Sequence, residues 1–316
     1  MRNRRVCVVG GSGFIGRYIV KRLAERGAVV TVVSRHATEA RFLNPMGDVG
    51  QIALIDAGLG EEAALAAVLT GASAVVSSVG ILYERGRQRF PLLHVEGPAR
   101  LARLAAAAGA KHFVHVSALS ADAHAASAYA RSKAEGEAAV KTAFSSATIL
   151  RPSLVFGPED DFFNRFAGMA RLAPGLPLVG GGTTRFQPVY VGDVADAAMA
   201  ALERPDAAGK TYELGGPAVL SFRALMELML AEIGRRRLLV PLPYGLASVG
   251  AFFMEFLPKP ILTRDQVKLL RTDTVVTPGA PGLADLGIAP TALELILPTY
   301  LNRFRRSDRM APRQVL

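Results

Sequence analysis

The stretch Arg5-Val-Cys-Val-Val9-Gly10-Gly-Ser-Gly-Phe-Ile-Gly16 decides how the rest of the chain is read. Its unbroken apolar run from Val6 predicts a strand covered on both faces. The glycines predict a tight turn, and Phe14–Arg26 predicts a helix. A glycine-rich turn between strand and helix brings backbone N–H groups close to a diphosphate. The positive end of the helix dipole then favours its charge. The spacing is G-x-x-G-x-x-G, and the strand–turn–helix context gives it weight that glycines alone lack.

Outward from this stretch the rhythm repeats. Apolar strands are expected at Val29–Ser34, Ile52–Ile55, Ala74–Val79, His112–Ser117 and Ala147–Leu150. Helices are expected at Glu61–Thr70, Leu92–Ala108 and Ser127–Ala143. Alternation of this kind makes an α/β, doubly wound parallel Rossmann sheet with helices on both faces. After Arg151-Pro152 the pattern changes to Gly- and Pro-rich stretches over 157–188, then helical patterns at Asp193–Glu203, Ser221–Ile233, Tyr244–Phe256, Arg264–Arg271 and Thr291–Phe304. The division expected is a dinucleotide-binding part over 1–151 and a smaller, mostly helical cap over 152–316, with some strands returning to the sheet.

Composition narrows the class. Half the residues are apolar and 20% are charged, which excludes a disordered or collagen-like chain. Cys7 is the single cysteine, so no disulfide framework or multi-thiolate metal site is possible, and its apolar setting predicts an inert buried thiol. The net charge of +10 resides at the ends: +7 over residues 1–35, −3 over 36–233 and +6 over 234–316. Such ends suit an anionic surface, whether lipid or an acidic partner; an arginine-rich coding bias, 30 Arg against 7 Lys, explains them equally well. With no Trp and no aromatics interleaved among the basic residues, nucleic acid is not expected as a partner. The apolar run after Met1-Arg-Asn-Arg-Arg5 is too short for a signal peptide and reads directly into a strand. The stretch Val240–Leu257 is interrupted by Pro241, Pro243, Gly245, Gly250 and Glu255, so no transmembrane helix is expected.

Several side chains bear on the ligand. The second strand ends in Ser34-Arg35-His36, where an NAD site normally carries a carboxylate for the ribose hydroxyls. A guanidinium there clamps a 2′-phosphate, so NADP(H) is expected over NAD(H). Asp56, at the end of the third strand, reads either as an acceptor for the adenine amino group or as a turn residue. Tyr129 and Lys133 lie at i and i+4 on one helix face. An ammonium beside a phenol stabilises phenolate, so Tyr129 suits acid–base work and Lys133 suits holding the nicotinamide ribose. His112 and His115 point to opposite faces of a strand, and Glu159-Asp-Asp161 reads as a capping turn, so no metal site is expected.

The glycine turn (Gly10, Gly11, Ser12, Gly13, Phe14, Ile15, Gly16), Asp56, the Tyr129–Lys133 pair and Arg151-Pro-Ser-Leu-Val-Phe-Gly-Pro158 together resemble the extended and atypical short-chain dehydrogenase/reductase superfamily. That resemblance adds Ala57, Val79, Gly80, Ser117, Pro152, Ser153 and Leu154 to the cofactor-binding set. It also implies a catalytic Ser or Thr at position 118, which is Ala118 here, leaving Ser117 or Ser120 as the nearest hydroxyls. Where extended members often hold Asn, this chain has His94. The catalytic set is therefore incomplete, with Tyr129, Lys133 and Ser117 as its remnants.

A narrower resemblance runs through Asn44-Pro-Met-Gly-Asp-Val-Gly-Gln51, Pro158-Glu-Asp-Asp-Phe-Phe-Asn164, Gln187-Pro-Val-Tyr-Val-Gly-Asp193, Ile261-Leu-Thr-Arg-Asp-Gln-Val267 and Pro281-Gly-Leu-Ala-Asp-Leu-Gly287. These look like the dehydrogenase-like, NADPH-binding accessory subunits of respiratory complex I (NADH:ubiquinone oxidoreductase). The resemblance implies a structural NADPH, peripheral-arm subunits as partners, and a place at the membrane surface near the quinone-entry region. Without room for a transit peptide, a bacterial member on the cytoplasmic side of the inner membrane is expected. Two other functions stay open. One is an active NADP-dependent oxidoreductase or epimerase acting on a quinone-related or isoprenoid-linked substrate; the other is an NADPH-sensing regulator. The apolar segment Leu238–Leu257 reads either as an interfacial helix against a membrane or partner, or as a cap helix over the cleft.

Overall fold

The computed structural model describes residues 1–305. Its centre is a seven-stranded sheet built from β1 (Arg5–Val9), β2 (Val29–Ser34), β3 (Ile52–Asp56), β4 (Ala74–Ser77), β5 (His112–Val116) and β6 (Thr148–Pro152), closed at one edge by a strand from the second half of the chain. All its pairings are parallel. The order β3-β2-β1-β4-β5-β6 reverses direction between β1 and β4, the switch point at which doubly wound sheets bind ligands. Helices α1 (Phe14–Glu25), α2 (Glu62–Leu69), α3 (Gly97–Ala107) and α4 (Ala128–Ala143) cross over between strands.

The strands are apolar on both sides because both sides are covered. Val6 and Val8 pack toward α1, while Cys7 and Val9 pack with Leu65, Leu101 and Val140 of α2, α3 and α4. Burial pushes the Cys7 thiol up to about 12, which makes it inert as expected.

Beyond β6 come β7 (Val155–Phe156), α5 (Phe162–Leu172), β8 (Gly175–Val179), β9 (Arg185–Phe186), β10 (Val189–Tyr190) and α6 (Val191–Glu203). Then β11 (Thr211–Leu214) returns to pair with β6, forming the sheet's edge strand. The chain continues through β12 (Leu220–Ser221), α7 (Phe222–Glu232), β13 (Leu238–Leu242), α8 (Tyr244–Met254), α9 (Arg264–Leu269) and α10 (Leu293–Leu301). A second core forms here around Phe156, Phe163, Phe222, Met226, Leu293 and Leu297.

Three elements differ from the sequence expectation. The helix expected over Leu92–Ala108 opens with a π-turn over Pro91–Glu96 and becomes α-helical only at Gly97. Pro98 has no N–H to give to the carbonyl four residues earlier, that of His94, and Gly97 N–H bonds instead to the Leu92 carbonyl. The Gly- and Pro-rich stretch contains α5, whose Phe163, Ala167 and Ala170 are buried on one face. The apolar segment from Leu238 is split, its first part forming β13 beside β8 and its second part α8.

Candidate functional site: a nucleotide cleft at the switch point

The glycine turn sits at the carboxyl end of β1. Gly10 has φ +84°, a left-handed conformation, and a Cβ there would press on Val79 and the Ser78 backbone. A Cβ on Gly16 would collide with the Gly10 carbonyl oxygen. These are the requirements of a turn packed tightly between two strands while its helix starts against it. Gly13 caps α1 without contributing a side-chain acceptor, so the first amides of α1 are not served by a side-chain cap. Together they form a cradle fitted to a diphosphate. Arg17, unassigned from the sequence, lies along this turn. Its guanidinium donates to the Ser12 and Gly13 carbonyls at 3.3 Å, pairs with Glu159 at 3.6 Å and stacks 4.7 Å over Phe42. Its place immediately after Gly16 was the available signal.

At the end of β2, the Ser34 hydroxyl shares a 3.0 Å hydrogen bond with Ser12, joining this strand to the turn. Arg35 and His36 are exposed beside them. Asp56 follows on the neighbouring strand, exposed, with one carboxylate oxygen 3.5 Å from the Ala37 amide. Ala57 is buried, and its amide donates to the Ser34 carbonyl. This end of the cleft therefore presents the Ser34 hydroxyl at the end of β2, the Arg35 guanidinium just after it, and the Asp56 carboxylate at the end of β3. Phe14 and Ile15 begin α1, where Ile15 packs on the core and the Phe14 ring lies against Gly157.

Across the switch point, α4 carries the second set. Lys133 is buried at 4% exposure and its ammonium donates to the Val116 carbonyl at 3.4 Å. Gly80 is opposite, where a Cβ would lie 3.3 Å from Lys133 Nζ and 3.9 Å from His94 Nε2. Burial lowers the Lys133 ammonium to about 8, opposed by the nearby Glu137 carboxylate. Burial also pushes the Tyr129 phenol up to about 12. Burial outweighs any lowering of the phenol by the Lys133 charge, contrary to the expectation from their i, i+4 spacing. Tyr129 packs edge-on against Phe90 and His94.

His94 belongs to the same cluster. Its Nε2 accepts from the Ile81 amide at 3.1 Å, so Nδ1 carries the proton and donates to Ser132 Oγ at 2.9 Å. Ser132 in turn donates to the Tyr129 carbonyl at 2.8 Å. Burial first, and the Lys133 charge second, lower the imidazole to about 3, so it is a neutral strut at every physiological pH. The π-turn aims the His94 carbonyl at Gly136 of α4, where any side chain would collide with it. Ser117 is buried, and its hydroxyl has no hydrogen-bond partner among the described residues; Ala118 beside it offers none. Pro152 accepts from the Leu119 amide, the Ser153 hydroxyl donates to the Thr274 carbonyl at 2.8 Å, and the Leu154 carbonyl accepts from the Val189 amide.

The residues present fit a dinucleotide: a glycine cradle without room for side chains, a lysine buried at the switch point, and a buried Ser117 hydroxyl without a partner among the described residues. These features define a Rossmann protein of the extended short-chain dehydrogenase type. The chain belongs to the NAD dependent epimerase/dehydratase family, whose model matches residues 6–215. Over 311 residues it is 37% identical to the mitochondrial NADH dehydrogenase [ubiquinone] 1 alpha subcomplex subunit 9 of Arabidopsis thaliana, spanning 95% of this chain and 77% of that protein. The Mus musculus protein of the same name is 35% identical over 301 residues, spanning 94% and 80%. The UDP-glucose 4-epimerase of Thermotoga maritima superposes with a TM-score of 0.72 at 19% identity, covering 95% of this chain and 98% of that one, and shares the fold. Among the described residues no helix is long and apolar enough to cross a membrane.

Proposed function

We propose that this chain is an accessory subunit of NADH:ubiquinone oxidoreductase that holds NADPH as a structural cofactor. It docks on subunits of the peripheral arm, at the cytoplasmic face of a bacterial inner membrane near the quinone-entry region. The observation that carries the docking is the inverted face of α8. Its buried side holds only Ala247 and Ala251, while Leu246, Val249 and Phe253, with Phe256 just past its C-cap, are 63%, 58%, 66% and 76% exposed. A helix that stands on alanines and turns its bulk to water is made to be covered. The basic Arg235-Arg-Arg237 run precedes β13 on the same segment and suits acidic protein or headgroups. Other basic residues of the tail (Arg306, Arg309, Arg313) lie outside the described residues.

For the cofactor, Gly10, Gly11, Ser12, Gly13 and Gly16 would cradle the diphosphate, Arg35 with Ser34 and His36 the 2′-phosphate, and Asp56 with Ala57 the adenine. Val79, Gly80, Ser117, Tyr129, Lys133 and the Pro152-Ser153-Leu154 segment would line the nicotinamide end. When bound, the nucleotide supplies a hydride-carrying ring; this chain's part is to orient it and screen it from water. The phenol held up at about 12, Ala118 in place of a hydroxyl, and a neutral His94 all favour retention over turnover. The Tyr129–Lys133 pair supports a second reading, an NADP-dependent oxidoreductase or epimerase acting on a quinone-related or isoprenoid-linked substrate.

Solubilised membranes test the first reading. The chain should comigrate with NADH:quinone reductase activity, and NADPH should be identified by absorbance and mass in the purified protein. Absence from that activity under mild detergent refutes the docking. Carbonyl turnover abolished by Tyr129→Phe would favour the second reading.

A further inference from the structure

Resting on the NADPH reading above, we propose that Asp265, which lies outside the nucleotide-binding half, is a positioning residue for the Tyr129–Lys133 helix. We further propose that the joint it belongs to carries the state of the nucleotide site to the apolar face of α8. The joint is Thr263-Arg264-Asp265-Gln266. Asp265 caps α4 from 136 to 138 residues away in sequence. One carboxylate oxygen accepts from the Ala128 amide at 2.7 Å; the other accepts from the Ser127 hydroxyl at 2.7 Å and from the Tyr129 amide at 3.0 Å. Ser127 adds the Ala130 amide to the cap. The negative carboxylate also meets the positive end of the α4 dipole. The start of the helix that carries Tyr129, and Lys133 one turn on, is therefore fixed by one side chain of a distant element.

The preceding residue grips the other helix. Arg264 meets the Glu255 carboxylate through its amide at 2.8 Å and through Nε at 3.0 Å, and its guanidinium lies 5.0 Å over the Phe252 ring. Both partners belong to α8 or its C-cap. Thr263 and Gln266 bracket the two residues with a reciprocal capping box, which keeps Arg264 and Asp265 from moving independently. Arg165 holds the segment just before it through the Ile261 carbonyl at 2.7 Å. A displacement at the start of α4 is thus passed through one stiff turn to the helix whose outer face is apolar. Linkage then makes the effect reciprocal: a partner that fixes α8 tightens nucleotide binding, and nucleotide fixes α8.

Hydrogen exchange and NADPH titration of the full chain test this. In the wild type, NADPH should slow amide exchange over residues 244–269 by roughly fivefold or more. Asp265→Asn, whose amide nitrogen cannot accept the hydrogen bonds that one carboxylate oxygen takes now, should weaken NADPH roughly tenfold. Arg264→Gln should bind NADPH like the wild type and yet lose the protection of α8, a split that a merely structural role for the segment would not produce. The Arg264→Gln arm stands even where Asp265→Asn fails to fold. Wild type that binds NADPH without protecting α8, folded Asp265→Asn that binds as tightly as wild type, or Arg264→Gln that keeps α8 protected would each overturn the proposal alone. A wild-type chain that takes up no dinucleotide would bring down the cofactor reading and this proposal together.

Discussion

Lowering the pH should drain stability through two buried histidines, and the size of the effect follows from their surroundings. His94 and His115 are each 1% exposed, and burial first, then the Lys133 charge, lowers both imidazoles from 6.5 to about 3. The His94 charge lowers His115 further, and His115 pairs in register with Ser77. The unfolded chain takes up a proton on each histidine below pH 6.5, while the native chain does not. The stability these groups allow is complete above pH 6.5 and falls as pH drops toward 3. The slope is about 1.4 kcal/mol per pH unit for each group. Between pH 6.5 and about pH 5, the pair should therefore cost on the order of 4 kcal/mol, a large share of the stability of a domain. Denaturant unfolding at stepped pH values measures this. His115→Leu should halve the slope. It should leave stability at pH 7 unchanged or higher, because both His115 ring nitrogens lack partners among the described residues and the substitution removes a buried, unsatisfied polar group. A His115→Leu profile that superposes on the wild-type profile between pH 7 and pH 5 would refute the reasoning.

On the NADPH reading proposed above, Arg35→Ala should shift the ratio of NADPH to NADH dissociation constants roughly tenfold or more toward NADH, read by fluorescence titration of both nucleotides. Gly136→Ala should destabilise by about 1–3 kcal/mol although alanine is the better helix former, because the new methyl meets the His94 carbonyl, a backbone atom that cannot swing aside. Thermal unfolding checks this, and a gain in melting temperature would contradict it. On the docking proposed above, Phe253→Asp should leave nucleotide binding and the fold intact while abolishing comigration with complex I on native electrophoresis of solubilised membranes.

The legible part of this protein is the part whose signals are local. The run from Arg5 to Gly16 contains a strand, a left-handed glycine and a helix start in adjacent residues, and each parallel strand announces itself by being apolar on both faces. Helix α4 was equally plain, except that Ser127, expected as its first residue, stands outside it as the N-cap. The π-turn was written in Pro98, four residues after His94, but a proline near the start of a helix reads as ordinary until the neighbouring helix is seen to need the displaced carbonyl. Helix α5 was hidden by glycines and prolines that follow it, although Phe163, Ala167 and Ala170 fall on one helical stripe. The β13 segment is a strand only because Leu238–Leu242 finds β8, more than sixty residues earlier, as its register partner. The Asp265 cap is of the same kind. Its motif was visible as a distinctive string, but which helix the carboxylate serves is a property of the folded chain.

The reversed packing of α8 has a consequence for the cell that makes this protein. A chain released alone carries Leu246, Val249, Phe253 and Phe256 into water. It is prone to associate with itself or with any passing greasy surface. If the docking proposed above holds, synthesis in excess of that site is a burden, and matched production, or rapid proteolysis of the surplus, becomes part of what the sequence of this one helix demands.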